Sequence, residues 1–249
     1  MMYRAVFFLI TVLIQVFLPD SSYSQSDNRI NSEKNALNAA KAVYFNSLAE
    51  QSGIYRGVEY TGFPYRLNNG HQYFETQVPV NGSVFYDGIL YNDIPMWYDL
   101  VKNQVIVQYA DGVSEIKLHN ELIDYFSIHG HHFVHLGRDQ TANTSLSEGF
   151  YDLVYSGRTQ VLVKRSKETL KEVSTGIAMT VLKQKNEFHL IKGGVYLPVK
   201  SQSSVLKALG NKQKEIQAFL KKSNIKFKEY PESAIIRMVR YYDLLTESK

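Results

Sequence analysis

A chain of 249 residues that is 44% apolar and 21% charged is long enough to bury a core, and its lack of cysteine excludes a disulfide scaffold. The 28 Lys and Arg against 24 Asp and Glu give a formal net charge of +4. The charge is unevenly spread: residues 25–157 hold 8 cations and 15 anions, whereas residues 158–228 hold 16 and 4.

Residues 1–24 read as a secretory signal peptide. Arg4 is the charged start, residues 5–18 are the apolar stretch, and Ser22 and Ser24 are small residues set for cleavage before Gln25. The apolar run is shorter than the ~20 residues of a membrane span, so none is expected in the mature chain. Without cysteine, a lipid anchor at the cleavage point is excluded. These features suit an exported protein of a Gram-negative envelope, whether periplasmic, outer-membrane-associated or secreted.

Residues 25–53 are expected to form a polar linker and then a helix from Glu33 to about Gln51, opened by Ser32 and stopped by Gly53. Residues 54–199 read as an antiparallel β domain of about ten strands. The first strands are expected at 54–60 and 73–78. The densest part, 83–136, is a meander. In it Val105, Val107 and Tyr109 alternate with Gln104, Ile106 and Gln108. Asp87-Gly88, Asp111-Gly112 and His129-Gly130 punctuate it as hairpin turns, with Asn81-Gly82 before it and Ser156-Gly157 and Gly193-Gly194 after it. Turns this close leave no room for crossover helices, so the sheet is antiparallel.

Residues 137–148 read as a surface loop. Residues 166–185 read as loop with a possible strand, because a helix-like start is followed by β-branched residues. Residues 200–249 form a helical segment packed on the sheet. One helix stops at Gly210, a second is capped by Asn211, an edge strand runs through Ile225 and Phe227, and a last helix starts at Pro231. The fold class is therefore α+β and β-dominated, a curled sheet (half-barrel) or sandwich with an N-terminal helix and a helical C-terminus. Trp97-Tyr98-Asp99-Leu100-Val101 is echoed by Phe150-Tyr151-Asp152-Leu153-Val154, which raises a duplicated hairpin pair.

His129, His131, His132 and His135 are the candidate metal ligands. On a strand, His131 and His135 would flank Phe133 on one face with His132 on the other, and His119 or His71 would have to complete a site. No spaced ligand motif accompanies them, so no metal is expected. Ser204-Val205-Leu206-Lys207 fits a nucleophile motif whose partner motifs are absent. Asp87, Asp93, Asp99 and Asp111 resemble an acid/base array, although two of them precede turn glycines. Tyr86, Tyr91, Trp97, Tyr98, Tyr151 and Tyr155 are candidates to line a pocket for sugar or lipid, against the alternative that they fill the core.

No phosphate-binding or dinucleotide glycine loop is present, so no cofactor is expected, and no nucleic-acid motif is present either. The leading expectation is a non-enzymatic envelope protein that binds a ligand or another protein. The alternatives are a carrier of lipid or lipopolysaccharide and a metal-dependent hydrolase built on the histidine hairpin. The basic segment 158–228 is expected to be neutralised by the acidic half, with weak salt-sensitive binding to anionic membranes.

Overall fold

The computed structural model describes residues 53–62, 67, 70–142, 144–174 and 177–247. The expected signal peptide and first helix lie outside the described residues. The chain divides into two compact units, 1–49 and 50–249, and the second holds every described residue.

Among the described residues eleven strands form one antiparallel sheet: β1 (Val58–Glu59), β2 (Val80–Tyr86), β3 (Ile89–Asp99), β4 (Gln104–Gln108), β5 (Glu115–Lys117), β6 (Ile123–Ile128), β7 (His131–Leu136), β8 (Gly149–Ser156), β9 (Thr159–Ser174), β10 (Ile177–Lys192) and β11 (Val195–Val199). Their order is β1-β5-β4-β3-β2-β6-β7-β8-β9-β10-β11, so the sheet curls without closing. Among the described residues there are four α-helices. The short α1 (Arg138–Thr141) sits in a loop, and α2 (Gln202–Leu209), α3 (Gln213–Lys222) and α4 (Pro231–Glu247) come after the sheet. The β-dominated α+β class is as the sequence implies, and no helix of three turns interrupts 83–136.

Turn chemistry explains the tight hairpins. Asp87 and Gly88, and His129 and Gly130, all take positive φ (49°, 75°, 53°, 76°), the conformation of a type I′ turn. Asn81-Gly82 is not a turn. It lies within β2 at a bulge, where a side chain on Gly82 would meet the Met96 sulfur and the Ser127 carbonyl at 2.5 Å. The expected strand at 54–60 is a 3-10 turn (Gly53–Tyr55) followed by two-residue β1. Of 73–78, only Tyr73 pairs, with Asp99. No strand forms around Ile225 and Phe227; both pack into the helical cluster. Lys212, in the left-handed region at φ 73°, replaces Asn211 as the cap of α3.

The largest correction concerns 166–185. Residues 166–174 and 177–185 complete two 16-residue strands, β9 and β10, paired along their whole length. β8 pairs with β9 no further than Val163, and β11 pairs with β10 only from Phe188. Beyond these points the hairpin continues as a two-stranded arm.

Side chains opposite each other on paired strands share a face. Phe133 pairs with Asp152 and Asp152 with Val163, which fixes one continuous inner face. At one end, β2–β8 wrap Tyr98, Phe126, Phe133 and Phe150, all fully buried, with Phe126 and Phe133 stacked at 4.8 Å. At the other, α2–α4 cover Val161, Leu190 and Val199 with Val205, Leu209, Ile216, Ile235 and Met238. Smaller clusters lie on the outer face, around Trp97 and Ile106 and around Tyr151 and Leu162.

Candidate functional site

The histidine hairpin is ordered by its turn, and each ring has a different neighbour. His131 and His135 share the Phe133 face, as their spacing implies, and His132 points the other way. His131 Nδ1 lies 2.7 Å from Asp152 Oδ2. His132 Nδ1 is 3.0 Å from Ser127 Oγ, His135 rests on the Phe150 ring, and His129 occupies the turn. His119 lies beside Glu121, and the backbone carbonyl of His71 accepts a hydrogen bond from Lys167. Among the described residues no group of three or more His, Asp or Glu side chains is placed to hold a metal.

The six aromatic candidates are divided among four clusters. Tyr86, Tyr91 and Tyr98 belong to the inner core. Trp97 lies on the outer face, its Nε1 donating to the Gln77 carbonyl at 2.9 Å. Tyr151 packs under the 137–148 loop and donates to the Ser147 carbonyl. Tyr155 packs against the helices, donating to Asp243 at 3.2 Å. The structure does not bring them together at one pocket.

The remaining candidates are held by local structure. Ser204 Oγ accepts from the Lys200 and Ser201 amides and donates to the Ser201 carbonyl, which makes it part of the α2 cap. Asp111 caps its turn through Val113 and Ser114, and the Ser114 hydroxyl holds its carboxyl below the usual range. Asp99 accepts from Tyr60 at 2.6 Å and from two turn amides. Burial, with Asp99 next, pushes the Tyr60 hydroxyl far up. Asp87 and Asp93 are exposed at positive φ.

Sequence reasoning missed one buried ionic chain. Asp152, 1% exposed, accepts from Arg165 Nε at 2.7 Å as well as facing His131. Arg165, 7% exposed, then makes two bonds to Glu232 at the start of α4, 3.1 and 3.0 Å. Burial opposes the guanidinium charge, and the two carboxylates more than offset it. Arg165 is two residues on from Val163, so the strand period puts it on the inner face. Nothing in the sequence pairs Asp152 with Arg165 or Glu232.

The basic segment splits in the structure. Arg165 is buried, Lys164 turns under the 137–148 loop to Ser147 and Glu148, and Lys167 donates to the His71 and Tyr73 carbonyls. Burial pulls both lysines below their ordinary range. They do not join Lys221, Lys222, Lys226 and Lys228 in one patch. The lysines of α2, α3 and their loops stay outside, and a groove of about 690 Å³ lined by Lys200, Leu206, Phe227, Lys228 and Pro231 lies among them.

The arm is the remaining candidate. It comprises seven register pairs from Glu168↔Lys183 to Ser174↔Ile177, about 20 Å at ~3.3 Å per residue. Glu168, Thr169, Leu170, Lys171 and Glu172 are exposed. The β9 edge is laced with charge, Lys167-Glu168 and Lys171-Glu172, whereas β10 runs uncharged from Ile177 to Leu182. Its root is fixed by a bond from the Lys167 amide to the Leu100 carbonyl. Sequence patterning missed the arm because successive β9 residues, 168–172, meet solvent on both faces.

Comparison with known proteins gives no match to any family model, curated protein or solved structure. Among the described residues no helix is long and apolar enough to cross a membrane.

Proposed function

We propose that this is an exported, non-enzymatic envelope protein that binds a protein partner through the β9–β10 arm. One observation carries the reading: eleven register pairs, Lys164↔Glu187 to Ser174↔Ile177, extend past the last strands that flank them among the described residues, and the outer seven lie beyond the Lys167 amide's bond to Leu100. An isolated two-stranded ribbon is marginal in water, and an uncharged outer strand is the kind of edge that natural sheets usually cover or charge. Adding a partner strand satisfies the backbone, and alternate side chains supply specificity.

The test has two parts. A photo-crosslinking residue at Leu170 in the native envelope is expected to give a discrete protein adduct, while one at Val113, 83% exposed on a distant turn, gives none. Replacing 169–182 by Asn-Gly closes the hairpin at the Glu168–Lys183 pair and is expected to leave the circular dichroism of the body intact. Equal crosslinking at both positions, or none at Leu170, removes the proposal. Export predicts a mature mass beginning at Gln25; retained Met1 would contradict it.

A further inference from the structure

We propose that the outer face of α3 docks on an anionic lipid bilayer, by headgroup phosphates meeting a lysine stripe. From Lys200 to Lys228 the chain holds eight lysines and one acid, Glu215. Glu215 is already paired with Lys212 at 3.1 Å. Nearby acids are engaged too, Glu229 with Lys226 and Glu232 with Arg165. Among the described residues no ion pair joins a lysine of 200–228 to an acid of the acidic half, 25–157.

On α3, Ile216 and Leu220 are buried, and Phe219 stacks on Tyr241 at 4.2 Å. The opposite stripe at helical spacing is Lys214, Gln217, Ala218, Lys221 and Lys222, all exposed, and the one acid at its border is Glu215, held by Lys212. Helix stability accounts for only part of it. Lys221 and Lys222 sit in the last turn, where the helix dipole favours a cation. Lys214 sits in the first turn, where it disfavours one, and Lys212 caps the same end. A charge kept at the wrong pole of its helix points to something outside the helix.

The composition separates a bilayer from a protein partner. Protein interfaces concentrate Trp, Tyr and Arg and are poor in Lys and Ala. This stripe has lysine as its sole charged type, with Gln and Ala between. Lysine meets phosphate as a point charge without directional pairing, which suits a fluid surface of headgroups.

The test is co-sedimentation of the full chain, purified after export, with vesicles of phosphatidylcholine alone and with added phosphatidylglycerol, at 0.15 M salt. Retention only on the anionic vesicles is expected, undiminished by inorganic phosphate at matched ionic strength. Each lysine near such a surface is worth about fivefold in partitioning, so K221E/K222E should lose at least about 20-fold. K214E is the discriminating variant: the thermal midpoint rises or holds, because a carboxylate suits the first turn, while vesicle retention falls at least about fivefold. R138E, a charge-matched change at a side chain 89% exposed in the loop after β7, should leave retention unchanged. Equal retention on both vesicle types, equal losses for K214E and R138E, or binding to a DNA duplex with none to vesicles each overturns the proposal.

Discussion

At the scale of single residues, two buried polar groups dominate. Arg165 lies between Asp152 and Glu232 with almost no exposure, so its removal leaves the buried Asp152 carboxylate with the His131 ring alone beside it among the described side chains. Breaking one partner of a buried pair typically costs about 3–5 kcal/mol. Arg165→Met should therefore lower unfolding stability by about that much in urea titration; a loss under about 1 kcal/mol would show that Asp152 finds water or another donor. His189 is the opposite case. Neither of its ring nitrogens has a partner among the described residues, and it packs against Tyr151 with Lys164 and Glu187 nearby. Burial lowers its pKa below the ordinary 6.5. As pH falls, the unfolded chain takes the proton first, so this contribution is complete above about 6.5 and is lost below it. His71 and His135 are lowered by burial in the same direction. His189→Leu should gain ~1 kcal/mol at pH 7 and flatten the decline between pH 7 and 5 without abolishing it. An unchanged slope would assign the acid sensitivity elsewhere.

At the scale of elements, α4 is pinned to the sheet at both ends. Glu232 in its first turn holds Arg165, and Asp243 near its last accepts from the Thr159 amide at 3.1 Å and from Tyr155. Gly157 makes the second contact possible, since a Cβ there would meet Asp243 Oδ2 at 2.5 Å. Glu232→Ala and Asp243→Ala should each cost ~1–3 kcal/mol. The sites are about 16 Å apart along the helix, so the double mutant should be additive to within ~0.5 kcal/mol. Strong coupling in that cycle would mean that α4 docks or releases as one unit.

Legibility also divides by element. Hairpins closed by Asp-Gly and His-Gly were readable because turn chemistry is local, as were the α2 stop at Gly210 and the α4 start at Pro231. The arm was hidden because no buried face imposes a period of two on 168–172. The strand at 54–60 is cut short at Gly57, where a Cβ would lie 2.2 Å from the Lys117 carbonyl. The Trp97–Val101 and Phe150–Val154 echo dissolves in three dimensions: Trp97 lies in the outer cluster with Ile106, and Phe150 in the inner core with Phe126. A one-residue difference in facing reverses every side chain. The ionic chain of Asp152, Arg165 and Glu232 was illegible because its members are 13 and 67 positions apart, and only the closed fold brings them together.

Across the whole molecule, stability should fall along the β9–β10 hairpin from root to tip. At the root, Val161, Leu162 and Val163 are fully buried or nearly so, with strands on both sides and α4 over Val161. At 168–172 the same strand is exposed and has β10 as its only flanking strand among the described residues. Local opening free energy tracks buried apolar contact and backbone protection, so one pair of strands spans the range from global unfolding to near-free exchange. Hydrogen exchange by mass spectrometry on the isolated protein should show peptides covering 160–164 and 187–191 protected close to the global limit. Those covering 168–172 and 181–184 should exchange orders of magnitude faster. Protection of the arm equal to that of the root in the isolated chain would mean that its edges are already covered, and a partner strand would then have no place to add.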